Sequence, residues 1–353
     1  MKNYLFVVFF ILIASCAEES LFGEETSLHF WLKHKGADMP VVIEGNTNSK
    51  IFILLLHGGP GGSAQKFNNN LTPFSDILEE DYAMVYWDQR NAGISRGEWD
   101  SSKITLAQHT EDLDQVIELL KFKFGDEIIM FLAGHSWGGY LSQAYLLEPN
   151  QQNKIRGWIS IDGLCNRNQN IRDALQRIPE IANEQIALDN AKEEWSDILE
   201  FTLIEAAKNI QNYDKNLESN VFSLIRSSEE IIAETNLLEY KAGSNFKATF
   251  KNNLHPFIFS VNNRTLNLLI PQIYDFDIFI ADNLVNINIP SLFIYGKYDV
   301  RTPYFQAEYA MERISTDPTD KQLIIFPFSD HSSPANEPVG IAEEIKLFVE
   351  KYK

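Results

Sequence analysis

The sequence predicts an α/β protein: a doubly wound, mostly parallel sheet with a helical cap inserted between its late strands. Three observations carry this. Short apolar runs alternate with amphipathic helical stretches along most of the chain, the rhythm of parallel strands joined by helical crossovers. The runs "IFILLLHGG" and "EIIMFLAGH" are apolar throughout instead of alternating, as in strands buried on both faces. From Cys165 to Asn286 that rhythm stops, and helical patterns such as "EEWSDILEFTLIEAAKNI" and "EEIIAETNLLEY" take over.

In chain order, "LHFWLKHKG" and "PVVIEGN" read as an antiparallel pair leading into the core. "IFILLLHGG" and "YAMVYWDQR" are buried strands, and "FNNNLTPFSDILEEDY" between them supplies helix. In "TLAQHTEDLDQVIELLKFKFG", Leu106, Leu113, Val116, Ile117 and Leu120 form one helical stripe. Thr105 caps it at the start and Gly125 stops it. "EIIMFLAGHS" is a strand, "GGYLSQAYLLEP" a helix closed by Pro149, and "IRGWISIDG" a further strand. Beyond the insertion, "SLFIYGKYD" and "KQLIIFPFSDH" are strands around the helix "YFQAEYAMERI", and "PVGIAEEIKLFVEKY" is a terminal helix. The core therefore covers 28–164 and 287–353, and the cap 165–286.

The first residues, "MKNYLFVVFFILIASC", follow the layout of a secretory signal: one Lys, an apolar run, then small residues. Ile13-Ala14-Ser15-Cys16 resembles the bacterial lipoprotein box. That resemblance implies cleavage of residues 1–15, lipidation of Cys16 and a lipid anchor on an extracytoplasmic membrane face. Residues 16–27 then form an acidic tether.

The 353 residues suffice for one large domain with an insertion. Asp and Glu number 49 against 30 Lys and Arg, a formal charge of −19. Such a surface repels phosphate backbones, so no nucleic-acid partner is expected. The only cysteines are Cys16 and Cys165. With Cys16 lipidated, Cys165 has no partner, which excludes a disulfide framework and a Cys-based metal site. No metal or cofactor is expected.

The chemistry centres on "AGHSWGG", residues 133–139. Gly134-x-Ser136-x-Gly138 follows a predicted strand and opens a helix, the setting in which a sharp turn lifts a serine hydroxyl above the sheet. A serine needs an adjacent base to attack. Of seven histidines, His29 and His34 lie on an early strand, His109 on a helix face and His255 in the insertion. His57 belongs to a glycine turn, and His135 adjoins Ser136 and is expected to point elsewhere. His331 remains, just after the last strand. The base needs an acid to orient it. Asp299, at the end of "SLFIYGKYD", is preferred. Asp330 is the rival, but it adjoins His331 in sequence and would reach its ring poorly. Backbone N–H groups of Gly59, in "HGGPGG", and of Trp137 are the candidate oxyanion donors.

"HGGPGG", "DQRNAGIS", "GHSWGG" and "GKYD..TP", with a terminal His, resemble the α/β-hydrolase superfamily and within it the proline iminopeptidase-like branch. That branch typically carries Gly where Asn91 stands, and often Gly-Gly-Ser-Trp-Gly-Ser at the elbow. The resemblance implies Ser136, Asp299 and His331 as catalytic residues. It also implies a cap whose glutamates hold a substrate's free amino group; Glu193, Glu194, Glu229, Glu230 and Glu234 all qualify by composition. The expected activity is an aminopeptidase acting through an acyl-enzyme on short peptides. An esterase or C–C bond hydrolase of the same fold, and a lipid-anchored binding protein without catalysis, are the alternatives.

Overall fold

A computed structural model of the chain describes residues 27–70, 73–208, 215–239 and 262–353. The signal stretch and Cys16 lie outside these residues. Among the described residues, no helix is long and apolar enough to cross a membrane.

Among the described residues, nine strands form one sheet: β1 (Leu28–His34), β2 (Ala37–Gly45), β3 (Ile51–Leu56), β4 (Ala83–Trp87), β5 (Arg96–Gly97), β6 (Ile129–His135), β7 (Gly157–Ile161), β8 (Ser291–Gly296) and β9 (Lys321–Phe326). The order is β1-β2-β4-β3-β6-β7-β8-β9, with β5 beside β2. β1, β2 and β4 pair antiparallel, whereas β4-β3-β6-β7-β8-β9 run parallel. The predicted fold class holds. β3, β4, β7 and β8 are buried along their whole length, which explains their unbroken apolar runs.

Helices α1 (Gln65–Asn70), α2 (Phe74–Asp81), α3 (Leu106–Phe124) and α4 (Trp137–Leu146) connect the first parallel strands. Thr105 Oγ1 accepts from the Gln108 N–H at the start of α3, and Gly125, with φ of 100°, ends it. Among the described residues, four helices stand between β7 and β8: α5 (Arg167–Ala187), α6 (Lys192–Ala206), α7 (Lys215–Glu234) and α8 (Asn263–Asn283). α9 (Phe305–Arg313), α10 (Ser333–Asn336) and α11 (Pro338–Tyr352) complete the chain.

Each face of the sheet carries its own apolar core. One is built around Trp137, Tyr140 and Trp158 with α3 and α4, the other around Phe74, Phe131 and Ile345 with α2 and α11. The cap helices have a third, in which Ile178, Trp195, Val221 and Ile225 pack with Tyr298 and Val300 from the loop after β8. Burying side chains of this size contributes roughly 1.5–3 kcal/mol each. The cap is therefore seated on the same loop that carries Asp299. β8 itself stops at Gly296. Asp299 thus lies in the turn beyond it and not at the strand's end.

Candidate active site

β6 ends at His135 and α4 begins at Trp137, so Ser136 alone makes the turn. Its φ of 56° and ψ of −118° are a strained backbone for a side-chain-bearing residue. The strain is held by hydrogen bonds: Ser136 N donates to Ile161 O at 3.1 Å, and its carbonyl accepts from Gly139 N at 2.9 Å and Leu164 N at 3.0 Å. The flanking glycines are demanded by contact. A Cβ at Gly134 would collide with the Gly138 carbonyl, and one at Gly138 with the Leu56 carbonyl.

His331 arrives from the loop after β9. Its Nε2 lies 3.0 Å from Ser136 Oγ, and its Nδ1 lies 3.0 Å from Asp299 Oδ2. Asp330, the rival acid, instead accepts from Ser332 N. Asp299 is fully buried. Its Oδ1 accepts from Arg301 N and Thr302 N, each at 2.8 Å. Burial pushes the Asp299 carboxyl up, and the donors from Thr302 and Arg301 pull against that shift. Burial pushes His331 down, assisted by the charge of Arg301 and opposed by those of Glu229 and Asp330. A neutral imidazole beside a serine hydroxyl can accept its proton.

Contrary to expectation, His135 does not point away. Its Nε2 lies 3.0 Å from the His331 carbonyl, and the two rings are 5.2 Å apart. Burial lowers it to about 3, so it packs as a neutral donor that holds the His331 backbone. Asp162, at the end of β7, accepts from Gly296 N at 3.0 Å and from Ser333 Oγ at 2.6 Å. It thereby ties the end of β8 to the start of α10, which follows β9.

The "HGGPGG" loop lies against the serine: a Cβ on Gly58 would stand 3.0 Å from Ser136 Cβ. Gly59 and Trp137 line the same cavity as Ser136. The "DQR" segment braces both. Gln89 N donates to His57 Nε2 at 3.1 Å, its side chain donates to His57 O at 3.2 Å, and its Oε1 accepts from Trp137 Nε1 at 2.9 Å. Asp88 accepts from Ser63 Oγ and Ala64 N on one oxygen and from Ile94 N on the other. Arg90 grips Asp112 through two bonds of 2.8 Å. Asn91 has φ of 53°, a left-handed conformation in which Gly is easiest and Asn is tolerated. Its carbonyl accepts from Asn262 Nδ2 and Thr265 Oγ1 of α8. Apart from the short-range bond from Ile94 to Asp88, none of these braces is marked in the sequence, because each joins residues far apart in the chain.

Above Ser136 lies a cavity of about 550 Å³. Leu164, Phe222, Leu266, Ile270 and Pro271 give it an apolar wall, and Arg167, Glu218 and Arg301 its charge. Arg167 donates to Glu218 at 2.7 Å and lies over the Phe222 ring, and Tyr274 also donates to Glu218. Arg301 holds Glu229 through two bonds of 2.8 and 2.5 Å. Of the five cap glutamates that qualify by composition, Glu229 alone meets a cavity residue in these bonds. Glu194, Glu230 and Glu234 line a separate cleft between α6 and α7, and Glu193 lies exposed in the first turn of α6. Glu218, in the cavity itself, is not among those five.

Residues 51–338 match the family model described as alpha/beta hydrolase fold. A proline iminopeptidase of Saccharolobus solfataricus is 26% identical over 299 residues, which cover 85% of this chain and 84% of that protein. Among solved structures, a proline iminopeptidase-related protein from Thermus thermophilus matches with a TM-score of 0.59 at 18% identity, covering 93% of this chain and 98% of that one. An esterase from Exiguobacterium antarcticum matches with a TM-score of 0.58 at 16% identity, covering 92% and 100%. At such identities the two structures are likenesses of fold.

Proposed function

The chain belongs to the α/β-hydrolase fold family, and on that footing we propose that it is a serine aminopeptidase of the proline iminopeptidase type, releasing N-terminal residues from short peptides. The observation that carries the reading is the series of contacts from Ser136 Oγ to His331 Nε2 and from His331 Nδ1 to Asp299 Oδ2, each of 3.0 Å.

In this reading His331 Nε2 takes the Ser136 proton as Oγ attacks the scissile carbonyl. The N–H groups of Gly59 and Trp137 receive the oxyanion. The protonated imidazole, held by Asp299, then gives its proton to the leaving amine. Water, activated by the same nitrogen, releases the acyl group and restores the serine. The apolar wall of the cavity suits a small apolar residue on the acyl side, and the carboxylates of Glu218 and Glu229 suit an ammonium.

An esterase is the second reading. It is favoured by one observation: both carboxylates are already paired with guanidinium groups, Glu218 with Arg167 and Glu229 with Arg301. Prolyl- and alanyl-nitroanilides, their N-acetyl forms and short acyl esters, assayed side by side, separate the two. The aminopeptidase reading expects turnover of the free-amine anilides and at least tenfold slower turnover of the acetylated ones. Ester turnover with no preference for a free amine replaces it with the esterase.

For the N-terminus, the "IASC" stretch supports a mature chain lipidated at Cys16 and held on an extracytoplasmic membrane face. In a bacterial host, incorporation of labelled palmitate that disappears in Cys16→Ser is the expected result. Labelling that survives the substitution ends this reading.

A further inference from the structure

We propose that Thr302 is a positioning residue that selects the tautomer of His331, leaving Nε2 bare to face the serine. The inference rests on the serine-hydrolase reading above. Thr302 is buried in the turn after β8, and its hydroxyl has three polar neighbours. Oγ1 lies 2.7 Å from Asp162 O, 2.9 Å from Asp299 Oδ2 and 2.9 Å from His331 Nδ1.

Proton accounting decides what these contacts mean. A hydroxyl has one proton and accepts through its lone pairs, and with Asp299 ionised, as its role of holding the protonated imidazole requires, neither the Asp162 carbonyl nor the Asp299 carboxylate can donate. The Thr302 proton therefore serves Asp162 O or Asp299 Oδ2. With a bare Nδ1 there would be one hydroxyl proton for three acceptors, and no proton on the 3.0 Å line from Nδ1 to Asp299 Oδ2. With the proton on Nδ1, both Asp299 Oδ2 and Thr302 Oγ1 accept from it, and the hydroxyl proton goes to Asp162 O or Asp299 Oδ2. Both contacts of Nδ1 are then satisfied, and only the oxygen that the hydroxyl does not serve, Asp162 O or Asp299 Oδ2, lacks the Thr302 proton. Nε2 is left unprotonated, 3.0 Å from Ser136 Oγ.

Thr302 also joins two turns. Its contact with Asp162 O spans the loops after β7 and β8, while its backbone N–H binds Asp299 Oδ1 at 2.8 Å. Ser keeps the hydroxyl. Val keeps the shape and removes it. A purely structural role would not change the ring's proton position, so the test reads that position directly.

The full chain, labelled with ¹⁵N-histidine, is compared by NMR as wild type, Thr302→Val and Thr302→Ser, with kcat and KM measured on one ester and one nitroanilide. The charged and titratable groups facing the ring are Asp299, Arg301, Asp330, Glu229 from α7, Lys66 from α1 and His135 from β6, with Asp162 after β7 beside His135 and Ser333. All remain in each variant. In the wild type, and in Ser, Nδ1 of His331 is expected to carry the proton. In Val, a population with the proton on Nε2 appears, and kcat falls roughly 10- to 100-fold with little change in KM, as for one charge-assisted hydrogen bond lost. A Val variant with the wild-type tautomer, or a Ser variant that fails to restore it, overturns the proposal. A wild type that turns over neither substrate counts against the hydrolase reading instead, and the tautomer comparison still judges Thr302.

Discussion

At the carboxyl edge of the sheet, Ser136, Asp299 and His331 stand in the turns that follow β6, β8 and β9. In the cap, Arg167, Glu218 and Glu229 stand on helices: Arg167 and Glu218 line the same cavity as a pair, and Glu229 meets it through Arg301, which comes from the turn after β8. The first group is located by strand ends, which the apolar runs mark. The second is located by how helices pack, which no short spacing marks. The contrast teaches where each kind of information lies under the proposed function: reaction type in the turns of the core, substrate choice in contacts between distant residues of the cap and the turn after β8.

The largest effect should come from the core. His331→Ala removes the proposed base, and Asp299→Asn reverses the hydrogen bonding that orients it. Each is expected to lower kcat by about 10⁴-fold or more on any accepted substrate. A loss of tenfold or less in either would erase the assignment of reaction chemistry to the sheet edge.

Glu218→Gln tests the cap. If an ammonium docks there, KM for free-amine anilides rises about 10- to 100-fold, while kcat and ester hydrolysis change little. A thermal melt run in parallel checks that losing the bonds from Arg167 and Tyr274 has not unfolded the helix packing. An equal effect on amine and ester substrates would mean that the cap does not read the amine through this residue.

The smallest effect joins the two regions. In the proposed mechanism neutral His331 is the active form, and burial lowers its pKa from 6.5. The acidic limb of kcat/KM should therefore lie below pH 6.5, since the base stays unprotonated to lower pH. Arg301 lowers His331 and Glu229 raises it. Arg301→Met should move that limb upward and Glu229→Gln downward, each by a fraction of a unit. A limb that ignores both would separate the cap's charge from the catalytic base.

Much of the fold is legible because strands buried on both faces and capped helices leave local marks. Thr105 and Gly125 bound α3 where the pattern ends. The elbow glycines are legible for the same reason, since backbone contact leaves no room for another residue. Asn91 shows the limit of such marks: it departs from the branch's usual Gly yet keeps the left-handed backbone that the position needs. What stays hidden is made by long-range pairing. Gln89 bridges His57 and Trp137, Thr302 bridges Asp162 and His331, and His135 turns toward the base and not away from it. Glu218 looks like any other acid on a helix until the fold brings Arg167 and Tyr274 beside it.

The central claim is that Ser136 is an activated nucleophile. Treatment of the protein with a fluorophosphonate, followed by mass spectrometry of the peptide that contains residues 133–139, tests it directly. The account predicts a single adduct on Ser136, absent in Ser136→Ala and formed far more slowly in His331→Ala. An unlabelled Ser136, or labelling that His331→Ala leaves at full rate, would contradict it.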